Sequence, residues 1–121
     1  MRFAKIVFRI AGLYGLLVLI PPLFLESKIG RDYPPPITHP EFFYGFFAVA
    51  IAWQVLFLIL GSDPVRYRPL MPAAMLEKIG YRVALIILYA QNRVTVPTLA
   101  IGSLDWIFLI LFFIAYLKTR Q

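Results

Sequence analysis

The chain has 121 residues, 61% of them hydrophobic and 15% charged, against roughly 25% charged in ordinary soluble domains. So few polar groups cannot cover the surface of a soluble domain of this size. The composition excludes one and points to lipid as the solvent, with residues 1–121 forming a single unit. The net charge is +6. Its basic residues sit between and beside apolar stretches, the pattern of topology signalling and anionic headgroup contact rather than of nucleic-acid binding. There is no cysteine, which excludes disulfides, thiolate metal sites and cysteine nucleophiles on this chain.

The first apolar stretch runs from about Ile6 to Leu25, long enough to span because about 20 residues at 1.5 Å each cover a ~30 Å hydrocarbon core. A signal peptide is the competing reading of the basic start at Arg2, Lys5 and Arg9. Pro21-Pro22-Leu23-Phe24-Leu25 offers no small-residue cleavage pattern, so a retained span is expected. Gly12 and Gly15 thin one face of it for close helix contact. Glu26 to Glu41 reads as a polar connection, stiffened and kept from regular helix by Tyr33-Pro34-Pro35-Pro36 and Pro40. The second span is Phe42 to Leu60, with Tyr44 placed for the interfacial aromatic belt. In the next connection, Ser62-Asp63-Pro64 looks like a helix start with Asp63 as its cap. The third span, Ala73 to Ala90, carries Glu77, Lys78 and Arg82 and ends at Gln91-Asn92-Arg93. The fourth runs from Pro97 to Leu117.

With both ends inside, the inner side holds Arg2, Lys5, Arg9, Arg66, Arg68, Lys78, Arg82, Lys118 and Arg120. The outer side holds Lys28, Arg31 and Arg93. Nine against three is a positive-inside bias. The expected fold is therefore all-α, a four-helix transmembrane bundle with N-terminus and C-terminus cytoplasmic.

Asp105 is the most informative residue, because a carboxylate inside a span is costly unless paired or hydrated. The third and fourth helices form a hairpin turning near Arg93 and Val94, and Arg82 and Asp105 flank that centre symmetrically. Equal depth on adjacent antiparallel helices makes an Arg82–Asp105 pair the expectation, either as an interhelical staple or as the lining of a pocket. Gln54 lies at comparable depth and needs hydrogen-bond partners. It and Tyr14 are candidate members of the same network. Glu77 is placed to meet Lys78 or Arg9. Arg66, Tyr67 and Arg68 in the loop from Asp63 to Met71 read as inner-surface anchoring, or as a headgroup or partner-protein contact. His39 with Glu41 is too poor a ligand set for a metal, and no metal or other cofactor is expected.

Haem held by two histidines is excluded by the single His39. Small multidrug transporters match in length and helix count but use a glutamate in the first helix, where this chain has no acid. No Ser-His-Asp order, glycine-rich phosphate loop or H-E-x-x-H occurs. The segments Glu41-Phe42-Phe43-Tyr44-Gly45-Phe46, Ala52-Trp53-Gln54, Asp63 to Met71 and Leu76-Glu77-Lys78 resemble a group of short, uncharacterised bacterial four-helix membrane proteins. The resemblance implies a bacterial inner membrane and brings no activity or functional residues. A looser likeness to DoxX-like proteins rests on size and helix count only. The expected role is a non-enzymatic accessory or structural membrane subunit, with membrane lipids, itself or a larger complex as partners. The alternative is an apolar-ligand or lipid-binding or transport bundle, with Gln54, Arg82 and Asp105 as the polar groups of its pocket. A membrane enzyme ranks behind both.

Overall fold

The structure is a computed structural model that describes residues 2–32 and 36–119. The described residues form six α-helices: α1 (Arg2–Leu19), α2 (Glu26–Asp32), α3 (Pro40–Ser62), α4 (Met71–Ala90), α5 (Val96–Gly102) and α6 (Asp105–Lys118). Short 3-10 turns lie at Pro21–Phe24 and Arg68–Leu70. No strand occurs among the described residues.

Proline sets most of the boundaries. Pro21 and Pro22 stop α1, since proline lacks the amide hydrogen and disfavours helix in the residue before it. Pro40, Pro72 and Pro97 stand in the first turns of α3, α4 and α5, where a missing N–H costs nothing. Thr95 caps α5 by accepting from the Thr98 amide at 3.4 Å. Asn92 takes a left-handed φ of 59° after α4, and the Arg93 amide closes the turn on the Leu88 carbonyl at 2.8 Å.

Among the described residues, three stretches are long and apolar enough to cross a membrane: Arg2–Phe24, Pro40–Ser62 and Val96–Lys118, each of 23 residues. The outside of the bundle is correspondingly apolar. Leu17, Phe24, Val49, Ile107 and Phe113 are all more than half exposed, an arrangement stable in hydrocarbon and not in water. The chain is an all-α, membrane-embedded protein. The expected third span is not among them: the 20-residue α4 carries Glu77, Lys78 and Arg82 in its middle rather than at one end.

Three local expectations are corrected. The connection after the first span contains a helix, α2, because its proline-free part, Glu26 to Asp32, closes a Lys28–Asp32 pair one turn apart. The proline-run expectation at Tyr33-Pro34-Pro35 lies outside the described residues. Asp63 begins no helix. It ends α3, and its carboxylate and carbonyl accept from the Arg66 and Tyr67 amides to close a turn. The fourth stretch keeps its span length at Val96–Lys118, but its helix is not continuous: it is interrupted at Ser103–Leu104 beside Gly102, a glycine–serine pair of the kind at which helices kink.

Helix α1 packs along α3, α4 along α6, and α1 against α6, whereas α3 and α4 touch sparsely. The two glycines of α1 explain the closeness of the first pair. A Cβ at Gly12 would lie 2.8 Å from the Gln54 carbonyl and from the Leu58 side chain, and one at Gly15 would collide with the Gln54 amide. Lys118 Nζ sits 4.6 Å from the Phe3 ring centroid, which brings the start of α1 and the end of α6 to one end of the bundle. The core lies at that end. Phe8 stacks on Phe112 at 4.3 Å, and Phe57 meets Phe112 edge-on at 5.1 Å. Ala4, Ala11, Leu60, Met71, Ala74 and Ala115 fill the space around them.

Candidate functional site

Above the aromatic core the helices bring four ionisable side chains together. Arg82 of α4 donates from Nε to the Gly102 carbonyl at 2.9 Å and from Nη2 to the Asp105 carboxylate. One guanidinium therefore serves the carbonyl left at the end of α5 and the acid that opens α6. The helix break and the ion pair are one feature: the interruption frees a carbonyl, and arginine's planar fork reaches that carbonyl and the acid together. Asp105 stands in the first turn of α6, where the helix dipole also favours a carboxylate. Gly102 leaves room at the junction for the end of the Leu85 side chain of α4, which a Cβ there would displace.

Lys78 joins the pair. Its Nζ lies 3.4 Å from Asp105 Oδ2 and 3.7 Å from Glu77 Oε2, and the residue is 3% exposed. The ammonium also faces the rings of Phe57, Phe108 and Phe112 at 5.0, 5.6 and 6.0 Å, so the cluster sits directly on the aromatic core. The sequence reading placed Lys78 on the inner surface, and the structure buries it. The signal was present: Lys78 and Arg82 are one helical turn apart, so a face that turns Arg82 inward turns Lys78 inward with it.

Gln54 is buried but has no hydrogen bond to the ionic cluster. Its Nε2 donates to the Ala50 carbonyl of its own helix at 2.8 Å, and its Oε1 is buried against Gly15 without a hydrogen-bond partner. Tyr14 tilts against Phe108 at 5.4 Å between ring centroids. The expected four-residue network thus separates into the Arg82–Asp105–Lys78–Glu77 cluster and two neighbours.

What Gln54, Tyr14 and the cluster share is a cavity of about 570 Å³. Tyr14 and Val18 of α1, Phe46, Phe47 and Ala50 of α3 and Ile101 of α5 form its walls. Gln54, Glu77, Lys78, Arg82 and Asp105 form its polar side. Pro22 of the 3-10 turn after α1 and Ile29 of α2 border it at the end away from the termini. The sparse contact between α3 and α4 leaves the room for it. Lys78, Arg82, Glu77 and Asp105 contribute two cations and two anions, so their formal charges cancel.

The loop residues divide. Arg68 donates from Nε and Nη2 to the Tyr116 carbonyl at 3.2 and 3.1 Å, and its guanidinium lies 3.8 Å over the Tyr116 ring. It ties the α3–α4 connection to the last turn of α6. Arg66 is exposed, 5.4 Å from the centroid of the half-buried Tyr67 ring. His39 Nδ1 and Glu41 Oε1 are 3.1 Å apart and exposed. No group of three or more potential metal-ligating His, Cys, Asp or Glu residues occurs among the described residues.

Fold and site together define a membrane-embedded helical protein with an ionic cluster beside an apolar cavity. No family model, curated protein or solved structure matches the chain, so the site is read from its own geometry.

Proposed function

We propose that this is a four-span, non-enzymatic protein of a bacterial inner membrane, with both termini cytoplasmic, that binds an apolar amphiphile in its intramembrane cavity. The observation that carries this reading is the 570 Å³ space reaching the Arg82–Asp105 pair. Pockets that hold small molecules have this size, apolar walls and a few convergent polar groups. An accessory or structural subunit would ask instead for a closed ion pair under a flat apolar face. Topology support comes from charge: removing the buried Lys78 and the half-buried Arg82, both in the ionic cluster, from the nine inner-side basic residues leaves seven, against three outside.

Purification from native membrane in mild detergent, followed by mass spectrometry, tests the reading. Wild type should retain an amphiphile that the cavity-filling Ala50→Trp variant loses. Equal lipid content in both, together with a stoichiometric protein partner, would establish the accessory-subunit reading instead. Reporter fusions at Gln121 and in the Asp32–His39 connection should report inside and outside respectively. An outside C-terminus would overturn the orientation.

A further inference from the structure

The cavity has a wall that differs from the others. Phe46 of α3 and Tyr81 of α4 lie 5.5 Å apart between ring centroids and bridge the two helices that otherwise touch sparsely. Both line the cavity, and both are 43% exposed. Each ring therefore lines the cavity while much of its surface stays uncovered by the bundle. The remaining walls are built differently: α1 is held to α3 at Gly12 and Gly15, and α4 is tied to α5 and α6 by Arg82.

We infer that Phe46 and Tyr81 form a lateral portal through which a single-chain amphiphile with an uncharged, hydroxyl-type head enters the cavity from the bilayer. The inference rests on the ligand-binding reading above and adds the route and the ligand class. Shape suggests the single chain: a cavity of about 570 Å³ with one polar side and apolar walls suits one head and one chain. Charge sets the head. The two cations and two anions already cancel, so a carboxylate head would add an anion beside Asp105 and Glu77. An ammonium head would stand beside Lys78 and Arg82. A hydroxyl both donates and accepts without disturbing that balance. Lateral entry also spares an apolar chain from crossing the charged connections at either end of the bundle.

The absence of cysteine makes a clean test possible. In the full chain in liposomes, a diazirine-bearing long-chain alcohol is photolysed with wild type and with Phe46→Cys/Tyr81→Cys, before and after bridging by a short bismaleimide. Wild type should be labelled within the cavity, with the matched carboxylate and the matched amine labelling less. Bridging should slow the exchange of pre-loaded alcohol by about tenfold or more, as closure of a gate does. Phe46→Ala, at an exposed position that should not impair folding, should speed exchange several-fold. Cavity labelling with exchange unaffected by bridging and by Phe46→Ala would overturn the portal while leaving the binding site standing. Labelling that favours the carboxylate or amine would overturn the ligand class. No cavity labelling by any of the three probes would overturn the binding reading itself and the portal with it.

Discussion

The two ends of the bundle are built on opposite plans. At the end that bears the termini, Phe8, Phe57 and Phe112 interlock among alanines, and side chains from α1, α3, α4 and α6 are fully buried. At the other end Phe46, Tyr81, Val18 and Ile101 all stay at least two-fifths exposed around a cavity. Both ends use the same kinds of residue, so hydrophobicity does not separate them. Helix spacing does. Small residues in α1 bring it against α3, whereas the α3–α4 interface has rings reaching across a gap. The ionic cluster lies at the boundary, resting on aromatic rings on one side and facing open space on the other. Lipid supplies little drive for one apolar surface to prefer another, so an unfilled half is tolerated where a tight half and a buried ion cluster hold the helices.

Substitutions in the two halves should therefore differ. Phe112→Ala removes the ring that touches both Phe8 and Phe57 and should cost about 3–5 kcal/mol. Phe47→Ala, at the cavity wall, should cost well under half as much in unfolding titrations in mixed micelles. Equal losses would mean that the open half is packed as tightly as the closed one. At the boundary, Asp105→Asn takes the carboxylate from the largely covered Arg82 and leaves Lys78 only Glu77, and should cost about 3–5 kcal/mol. Arg82→Gln should cost less because Lys78 remains beside the carboxylate, and the double variant should lose less than the sum. Additive losses would deny the coupling.

Gly15→Leu should lose on the order of 1–3 kcal/mol through overpacking against Gln54. Gly80→Ala should be neutral, or gain up to about 1 kcal/mol from helix propensity. At the surface of the closed end, Arg68→Gln should cost about 1–2 kcal/mol by releasing the Tyr116 carbonyl. Arg66→Gln should stay within about 0.5 kcal/mol and reduce binding of anionic liposomes. The reverse ranking would move the headgroup contact from Arg66 to Arg68.

Legibility in the sequence followed the range of the interaction. The apolar stretches could be read because span length is a property of consecutive residues. Arg82 and Asp105 could be paired because a hairpin fixes equal depth on both sides of its turn. Lys78 was missed by counting it as a surface charge when its one-turn spacing from Arg82 set its face. The Gly102-Ser103 break was likewise marked by residue type, and α2 by the Lys28–Asp32 spacing. The cavity had no such mark. Whether two apolar helices close on each other depends on how side chains of both meet in three dimensions, and Phe46 and Tyr81 are 35 positions apart. Gln54 shows the same limit. Its depth is readable, but the donation of its Nε2 to the Ala50 carbonyl of its own helix, and the seat of its unpartnered Oε1 on Gly15, are not.

The most direct test of the closed-and-open account uses single cysteines in this cysteine-free chain. Ala50→Cys at the cavity and Ala74→Cys in the core should be compared in liposomes with a small membrane-permeant thiol reagent. The account predicts rapid modification at position 50 and protection at position 74 until the protein is unfolded. Equal protection at both would show the cavity filled by its own helices and contradict the account.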